Sequence, residues 1–384
     1  MKKIIIVSLI SFLLLFSMVQ PYSFAYQKKG TISYKPLNYS QTITIYNPYE
    51  DIDFDTIHHY KANLHTHTTN SDGTSSPAEV IYHYHDVGDY DILAITDHNR
   101  YTWPWSDYID EDPIESSLSS EYFPDLEMLA ISGNEMSLRH HRNSLLNDYF
   151  RGGFFINQAF RYIQEQEGLS FFNHPGRYNY CVQWYQRFFD RFDDVVVGME
   201  VFNQGDRYDQ DRLLWDKINK ERDPDNLIWG FSNDDMHKIS NHSFRNYQHF
   251  LMNELTETEF RTAMINGAFY CSYEPNGRDN QSLTYGIAMA PKLTSVIVNE
   301  NSVQLTCDDC ETIEWINQES QVIQHGSEID VSLVDSNFVR AVLTNDFGKT
   351  FTQPFGILKT NSEIELGFLD TIFQYPIAQL FFHY

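Results

Sequence analysis

Cationic side chains are scarce in this sequence of 384 residues. It has 27 Lys and Arg against 53 Asp and Glu, so its formal net charge is −26. A chain this acidic repels nucleic acid polymers unless a local cationic site overrides the field. We therefore expect no nucleic acid polymer as a partner, and bound metal ions are one way to create a local cationic site.

A hydrophobic run long enough to cross a membrane is also lacking at the N-terminus. Lys2 and Lys3 precede an apolar run from Ile4 to Val19, whereas a spanning helix needs roughly 20 residues. The run ends in the small-residue exit Ser23-Phe24-Ala25, which is the layout of a cleavable signal peptide. We expect residues 1–25 to be removed, leaving a secreted protein without a membrane span.

Cysteine is the third scarce residue type, with four in the chain. Cys307 and Cys310 form a Cys-x-x-Cys motif, but without a second pair or a nearby His the motif is a weak indication of zinc. Export would permit a disulfide, and the pairing stays open. We expect Cys181, Cys271 and this pair to be structural or free thiols, not metal ligands.

The chain shows no repeat of 20 to 50 residues, and its pattern divides it into three parts after the signal. Residues 26–54 are rich in Tyr, Asn, Thr and Ser and have no helical period, which indicates an extended segment. Residues 55–290 alternate short apolar runs with amphipathic stretches, and residues 291–384 show alternating runs without a helical pattern. We predict a hydrolase domain followed by a small β-sandwich-like module with an apolar tail from residue 362.

Repeated strand and helix patterns predict an α/β fold for the middle part. Ser76 and Pro77 are typical of a helix start, and Gly267 of a helix end. Such units imply a parallel sheet, closed or open, covered by helices. The predicted strands are 60–64, 91–96, 127–132, 169–173, 195–202, 227–231 and 248–253, and the predicted helices are 78–86, 156–167, 209–220 and 256–266.

Side chains that bind metals follow the predicted strands. The first strand leads into His65-Thr66-His67. Residues two apart in an extended chain point to the same side, so both imidazoles can face one ion. A His-x-His alone is common, but five strand ends in a row carry a metal-type ligand, which independent accidents seldom produce. The other segments are Ser71-Asp72-Gly73 on the next loop, Thr96-Asp97-His98-Asn99, Gly133-Asn134-Glu135, Asn173-His174-Pro175-Gly176 and Ser232-Asn233-Asp234-Asp235-Met236-His237.

In this order the motifs resemble those of the PHP (polymerase and histidinol phosphatase) family, over roughly residues 57–275. The resemblance implies a distorted TIM-like (β/α)7 barrel of seven strands and helices with up to three metal ions at its mouth. It implies that His65, His67, Glu135 and Asp235 hold one ion, that Glu135 bridges to a second ion bound by His141 and His174, and that Asp72, His98 and His237 hold a third. The C-terminal module is also similar to one that trails some exported PHP proteins.

Two positions of this ligand set are open in the sequence. Asp72 stands where some family members carry His. The pair His140-His141 leaves the register open, and we choose His141 because His-Arg-Asn before apolar residues matches the family's His-x-Asn exit better. We expect Asp97 and Asp234 to support imidazoles instead of binding metal.

Imidazole and carboxylate ligands without thiolate suit Zn, Mn or Fe, and the sequence does not choose among them. Two ions about 3.5 to 4 Å apart would lower the pKa of a bridging water and clamp the attacking and leaving oxygens. We therefore predict a secreted metal-dependent phosphoesterase for a small phosphorylated substrate. Hydrolysis of an amide, carbamate or carboxylic ester is the alternative, and a non-catalytic surface module stabilised by metal is a weaker one.

A phosphate substrate needs a cation beside the metals. Arg177 follows His174-Pro175-Gly176 directly, and its guanidinium can bind two phosphate oxygens. We assign catalytic roles to Arg177 and Asp235, with Arg139, Arg142 and Lys238 as lesser candidates. A surface Arg paired with one of the many acids is an equally good interpretation of Arg177.

Overall fold

A computed structural model of the protein describes residues 39–276 and 289–363. The signal peptide predicted at residues 1–25, the first part of the N-terminal segment and the apolar tail after residue 363 lie outside the described residues. Residues 41–360 form one compact unit. In the described ranges no helix combines the length and the apolar character that crossing a membrane requires.

The described residues contain strands in the following order: β1 (Tyr39–Tyr46), β2 (His58–Asn63), β3 (Ile92–Ala94), β4 (Glu115–Ser116), β5 (Ser120–Phe123), β6 (Met128–Ile131), β7 (Gly133–Met136), β8 (Arg142–Leu145), β9 (Leu169–Phe172), β10 (Val196–Asn203), β11 (Trp229–Asn233), β12 (Asn246–Met252), β13 (Phe269–Tyr273), β14 (Lys292–Val298), β15 (Ser302–Asp308), β16 (Thr312–Asn317), β17 (Val322–His325), β18 (Glu328–Asp330), β19 (Phe338–Thr344), β20 (Lys349–Phe351) and β21 (Phe355–Glu363). The α-helices are α1 (Pro77–Tyr82), α2 (Ile156–Glu165), α3 (Val182–Phe189), α4 (Gln210–Lys220), α5 (Ile239–His242) and α6 (Glu257–Asn266).

These elements give a mixed α/β fold with three sheets. The largest has the strand order β1-β21-β19-β20-β13-β12-β2-β3-β6-β5-β4, with β16 and β17 branching from β19. The second has the order β11-β10-β9-β8-β7, and the third is β14-β15-β18. Chain segment 128–136 joins the first two sheets, because β6 lies in one and β7 in the other.

The expected parallel sheet is present only in part. β2, β3 and β6 pair in parallel, as do β9, β10 and β11. However, β8 is antiparallel to both β7 and β9, and β12 is antiparallel to β2. The antiparallel β8 follows β7 through a short loop, and a short connection of this kind can join only antiparallel neighbours.

The predicted helix ends are confirmed by their capping groups. Ser76 accepts a hydrogen bond from the Glu79 N–H, and the Glu79 carboxylate accepts one from the Ser76 N–H, so α1 starts with a capping box. Thr256 caps α6, and Gly267 ends it in the left-handed conformation with φ of 73°. Helix α3 was not predicted, because aromatic residues occupy several of its faces.

Buried apolar side chains join the two large sheets. One cluster combines Leu64 and Ile92 with Phe171 and Phe231 from the second sheet. The rings of Phe171 and Phe231 stack with centroids 4.5 Å apart. Burying one such side chain contributes about 1.5–3 kcal/mol, so this shared core fixes the strand ends on both sides of it.

The C-terminal strands continue the largest sheet through the pairing of β20 with β13. Arg340 of β19 forms a buried ion pair with Asp216 of α4, in which Nη2 lies 2.7 Å from Oδ2.

All four cysteines are free thiols. The domain boundary near residue 290 stays a prediction.

Candidate metal centre

His65 and His67 leave β2 in an extended conformation. Thr66, between them, pairs in parallel with Met236, and the His67 N–H donates to the Met236 carbonyl at 2.8 Å. Both imidazoles are fully buried, and their ring centroids are 5.1 Å apart. The two-residue repeat of an extended chain therefore turns both rings toward one interior point.

Glu135 of β7 lies at the middle of the centre. Its buried carboxylate has five imidazoles within 3.4 Å. The nitrogen-to-oxygen distances are 3.3 Å from His65, 3.3 Å from His67, 2.9 Å from His98, 2.8 Å from His141 and 3.4 Å from His174.

Asp235 completes the group around the His-x-His pair. Its Oδ1 lies 3.3 Å from His65 Nε2 and 3.1 Å from His67 Nε2. Asp235 has φ of 46° and His174 has φ of 29°, conformations that L residues seldom adopt and that occur often at functional sites. Each therefore turns sharply as its strand ends, which directs its side chain into the centre.

Three groups of potential metal ligands result, each with its atoms within 4.8 Å of one another. The group of His65, His67, Glu135 and Asp235 is fully buried. The carboxylate of Asp72 lies 3.6 Å from His98 Nε2 and 3.4 Å from His237 Nε2, and it is 56% exposed. The remaining group is His98, Glu135 and His141, so the centre reaches from the interior to solvent at Asp72.

The structure thus brings together all nine residues predicted as ligands, with two differences in grouping. His98 approaches Glu135 as well as Asp72. His67 belongs to the solvent-side group as well as the buried one. Gly73 lets the loop that carries Asp72 pack against the backbone of His67. A Cβ atom at position 73 would lie 2.4 Å from the His67 carbonyl oxygen.

Several buried polar atoms of the centre have no hydrogen-bond partner among the described residues. They are His67 Nδ1 and His174 Nδ1, together with His98 Nδ1 and Glu135 Oε2, which lie 2.9 Å apart without hydrogen-bond geometry. An unsatisfied buried group costs about 1–3 kcal/mol. Unpaired imidazole nitrogens and carboxylate oxygens are the ligands of Zn, Mn and Fe, so the residues present fit divalent cations.

The charges of the centre also call for cations. Within the part of the chain that the structure describes, no Lys or Arg lies within 4.0 Å of Glu135 or Asp235. Burial lowers the pKa of His65, but Asp235, Glu135 and Glu200 outweigh it and raise that pKa well above its usual value. Burial also lowers the pKa of His67, but hydrogen bonds to Asp235 and Glu135 outweigh burial and raise that pKa to about 9. Positive charge is therefore stabilised here.

Glu200 is a functional residue that the sequence analysis missed. It is fully buried in β10, and its Oε1 lies 2.8 Å from His65 Nδ1. Its Oε2 accepts a hydrogen bond from the His174 N–H at 2.8 Å. A carboxylate behind an imidazole fixes the tautomer, so Nε2 of His65 faces the centre as an acceptor. The one sign of Glu200 in the sequence was its position as a single acidic residue within the apolar run 195–202.

Asp97 and Asp234 do not support imidazoles, contrary to the prediction. Asp97 accepts hydrogen bonds from Thr68, Ser71 and Thr102 and so holds the loop that carries Asp72. Asp234 accepts bonds from the Tyr84 hydroxyl and from three backbone N–H groups at residues 244–246. The hydrogen bonds of both carboxylates thus go to hydroxyl and backbone N–H groups instead of imidazoles.

The structure separates the two histidines of the pair at 140 and 141. His141 Nδ1 lies 2.8 Å from Glu135 Oε1. His140 points the other way, with Nε2 2.9 Å from the Tyr185 hydroxyl and its ring stacked on Tyr178 at 4.0 Å. Burial lowers the pKa of His140 well below its usual value, so it stays neutral among aromatic rings.

Arg177 lies in a short 3-10 turn, Pro175–Arg177, directly after His174. Its side chain is exposed, and its guanidinium lies 5.9 Å from the Tyr178 ring centroid. Among the described residues no ion pair links Arg177 to an acid. Arg142 is buried and donates to the Gly153 carbonyl oxygen at 2.9 Å, which gives it a structural role.

Comparisons with known proteins give partial likenesses. No family model matches the sequence, and no curated protein matches it. One similar solved structure is a two-domain protein from Bacteroides vulgatus that contains a predicted PHP-like metal-dependent phosphoesterase. It is 17% identical, the match covers 79% of this chain and 88% of that chain, and the TM-score is 0.45.

Two further solved structures are similar over a smaller part of this chain. The lesion-specific endonuclease PfuEndoQ from Pyrococcus furiosus is 16% identical over 54% of this chain and 56% of that chain, with a TM-score of 0.39. An amidohydrolase from Chromobacterium violaceum is 16% identical over 46% of this chain and 87% of that chain, with a TM-score of 0.31.

Proposed function

We propose that this protein is a metal-dependent hydrolase of the PHP type that cleaves phosphate esters. The observation that carries the proposal is the approach of five imidazoles to the buried Glu135 carboxylate within 3.4 Å. A purely structural metal site is closed by its protein ligands, whereas this centre reaches solvent at Asp72. A substrate can therefore approach it.

We also propose that the strands around the centre form a distorted seven-strand barrel. The parallel pairs β2-β3-β6 and β9-β10-β11 are joined on one side by the segment 128–136 and by β8. On the other side, Thr66 after β2 pairs with Met236 after β11. This closure brings the C-terminal ends of the strands to one mouth, where a barrel of this kind carries its active site.

In this proposal the nine predicted ligands would hold two or three ions. His65, His67, Glu135 and Asp235 would hold the buried ion, while His98, His141 and His174 would act with Glu135. Asp72 and His237 would complete the solvent side. When bound, such ions lower the pKa of a coordinated water and clamp the oxygens of a phosphate ester.

The side chains of this protein supply orientation and proton control. Glu200 fixes the His65 ring, so its Nε2 lone pair faces Glu135. Asp235, with Oδ1 between the two rings of the His-x-His pair, is the carboxylate best placed to accept a proton from an attacking water. Arg177, exposed beside His174, can reach a phosphate oxygen of the substrate and neutralise its charge.

The test compares His65→Ala/His67→Ala with the wild type on a nitrophenyl phosphate ester. We expect the double variant to lose turnover, because it removes two ligands of the buried group. His325→Ala is the matched control, since that imidazole is 71% exposed and lies outside the ligand groups. Undiminished turnover in the double variant would refute the proposal.

A parallel assay on carboxylic ester, amide and carbamate substrates separates the two hydrolase chemistries. A metal-activated water attacks a carbonyl carbon as well as phosphorus, so the ligand set alone does not distinguish them. We expect phosphate esters to be cleaved faster. Faster cleavage of an amide would shift the assignment to the alternative hydrolase, and metal binding without any turnover would indicate a structural module.

We infer secretion from the charged and apolar pattern of residues 1–25. Sequencing the N-terminus of the protein recovered from the medium of an expressing culture tests it. A mature chain that begins near residue 26 is the expected result. A chain retained in cells with Met1 intact would overturn the inference.

A further inference from the structure

Exposed arginines gather on one surface of this acidic protein. They line two adjoining cavities of about 660 and 230 Å³, which share Phe154, Phe155 and Gln158. We call this region the arginine surface; its cations are Arg139, Arg151, Arg161, Arg187 and Arg191.

The arginine surface has little counter-charge of its own. Residues 136–164, which carry Arg139, Arg151 and Arg161, contain one acid, Asp148, while Asp190, Asp193 and Asp194 lie beside Arg187 and Arg191 in the sequence. Among the described residues no carboxylate lies within 4.0 Å of any of the five guanidinium groups. In a chain with almost twice as many acids as cations, five unpaired arginines side by side mark a site for an external anion.

Exposed aromatic rings lie among these arginines. Phe150 is 53% exposed, Phe154 is 48% exposed and Phe155 is 68% exposed. The guanidinium of Arg139 lies 4.5 Å from the Phe154 ring centroid, and that of Arg151 lies 5.6 Å from the Phe150 ring centroid. Neighbouring apolar rings left in water are typical of a binding surface.

Helix α2 adds backbone donors at the same place. It begins after Phe155, which provides no side-chain cap, and its first residues Ile156 and Asn157 line the larger cavity. The free N–H groups and the positive end of a helix favour an anion there. They supplement the guanidinium groups, which carry most of the charge.

We propose that the arginine surface binds a single-stranded oligonucleotide. Guanidinium groups that follow a chain of phosphates, with aromatic rings on which bases stack, are the recurring features of single-strand binding. Five cations spread over two cavities exceed the reach of one phosphate. The cavities are concave, which suits a flexible strand entering them better than a flat lipid surface.

The expectation that the chain avoids nucleic acid rested on its net charge alone. At physiological salt the Debye length is about 8 Å, so distant acids are screened while local guanidinium contacts are not. Arg139 lies two residues before His141, so a bound strand would pass close to the metal centre. Binding itself does not depend on the proposed hydrolysis.

The test is fluorescence anisotropy of a labelled 12-nucleotide single strand titrated with the full-length protein at several salt concentrations. We compare the wild type with Arg161→Gln/Arg187→Gln/Arg191→Gln. The triple variant should bind at least tenfold more weakly. The slope of log affinity against log salt should fall by about 2, since each lost phosphate contact removes roughly 0.7.

The matched control is Lys217→Gln/Lys292→Gln/Lys349→Gln, which changes the net charge equally at three exposed positions elsewhere. It should bind within twofold of the wild type. Phe154→Ala/Phe155→Ala should weaken binding at least fivefold without changing the salt slope. Nitrophenyl phosphate turnover by the triple arginine variant should stay as in the wild type, so a failure of the proposed hydrolysis is recognised separately.

Two kinds of result would overturn the proposal. One is the absence of binding by the wild type at 50 mM salt, or an equal loss in the arginine and lysine variants. The other is a different occupant: competition by a nucleoside monophosphate as effective as by the strand would indicate a mononucleotide site. Binding to vesicles of anionic phospholipid without binding of the strand would indicate a membrane surface.

Discussion

Buried carboxylates are balanced in opposite ways at the metal centre and at helix α4. Asp216 of α4 is paired by Arg340, with Nε 2.8 Å from Oδ1 and Nη2 2.7 Å from Oδ2. Glu135 and Asp235 are also buried, but among the described residues their charged neighbours within 4.0 Å are imidazoles and not Lys or Arg. The Asp216 carboxylate therefore has its counter-charge within the chain. At the metal centre we expect bound cations to supply the counter-charge, which would distinguish a site for ligands from a structural ion pair.

The largest effect is expected for Glu135→Gln. The amide keeps the shape but loses the charge that all five imidazoles approach. Turnover of a phosphate ester should fall on the order of 10³-fold or more, as when a group acting in a catalytic unit is lost. Circular dichroism serves as the folding control. A variant with near wild-type turnover would show that Glu135 is not part of the centre's chemistry.

Arg340→Met tests the buried ion pair between Arg340 and Asp216. It leaves Asp216 buried without its cation, so the free energy of unfolding should fall by about 3–5 kcal/mol. Urea unfolding measures the loss, and a chelator should leave it unchanged. The double variant Arg340→Met/Asp216→Leu should recover most of the stability. A loss that depends on metal would contradict the distinction between the two regions.

Glu200→Gln should have an intermediate effect. The variant keeps the volume but weakens the orientation of His65, because an amide is a poorer acceptor for its Nδ1–H. Metal affinity should fall roughly 10- to 100-fold. Competition with a chromogenic chelator measures the affinity, and His325→Ala provides the unaffected control. Equal affinities in the variant and the wild type would remove Glu200 from the centre.

The smallest effect concerns Asp91, a half-buried carboxylate that accepts a hydrogen bond from the Lys61 N–H at 2.6 Å. Burial raises its pKa from 3.8 to about 6. Because the folded pKa is the higher one, the stability from protonated Asp91 is complete below about pH 4 and is lost as the pH rises through 6.

Asp91→Asn should abolish this dependence. Urea unfolding at pH 4.5 and pH 7 should show the variant gaining about 2 kcal/mol relative to the wild type at the higher pH. A stability difference independent of pH would show that Asp91 is ionised in the folded state throughout this range.

The candidate ligands could be named because metal-type residues follow several predicted strands, whose carboxyl ends share one edge, and because these motifs resemble those of the PHP family. His65 and His67 could be placed by the period of an extended chain. Glu200 could not, since a lone Glu in an apolar strand has no pattern that separates it from chance. The direction of β8 and the existence of α3 were missed for a related reason: tertiary packing decides both.

The arginine surface also could not be predicted from the sequence. Its cations come from separate segments, the loop after β7, the segments before and within α2, and α3 with the turn that follows it. No local pattern unites them, and the strongly acidic composition pointed away from them. Net charge describes the whole chain, whereas binding depends on what lies within a Debye length.

The most direct test of the central claim is the metal content of the full-length protein purified without chelator, measured by elemental analysis beside Glu135→Gln. The account predicts at least two equivalents of Zn, Mn or Fe per chain in the wild type and less than half of that in the variant. A wild-type protein that carries no metal and whose melting temperature is unchanged by adding any of the three would contradict it.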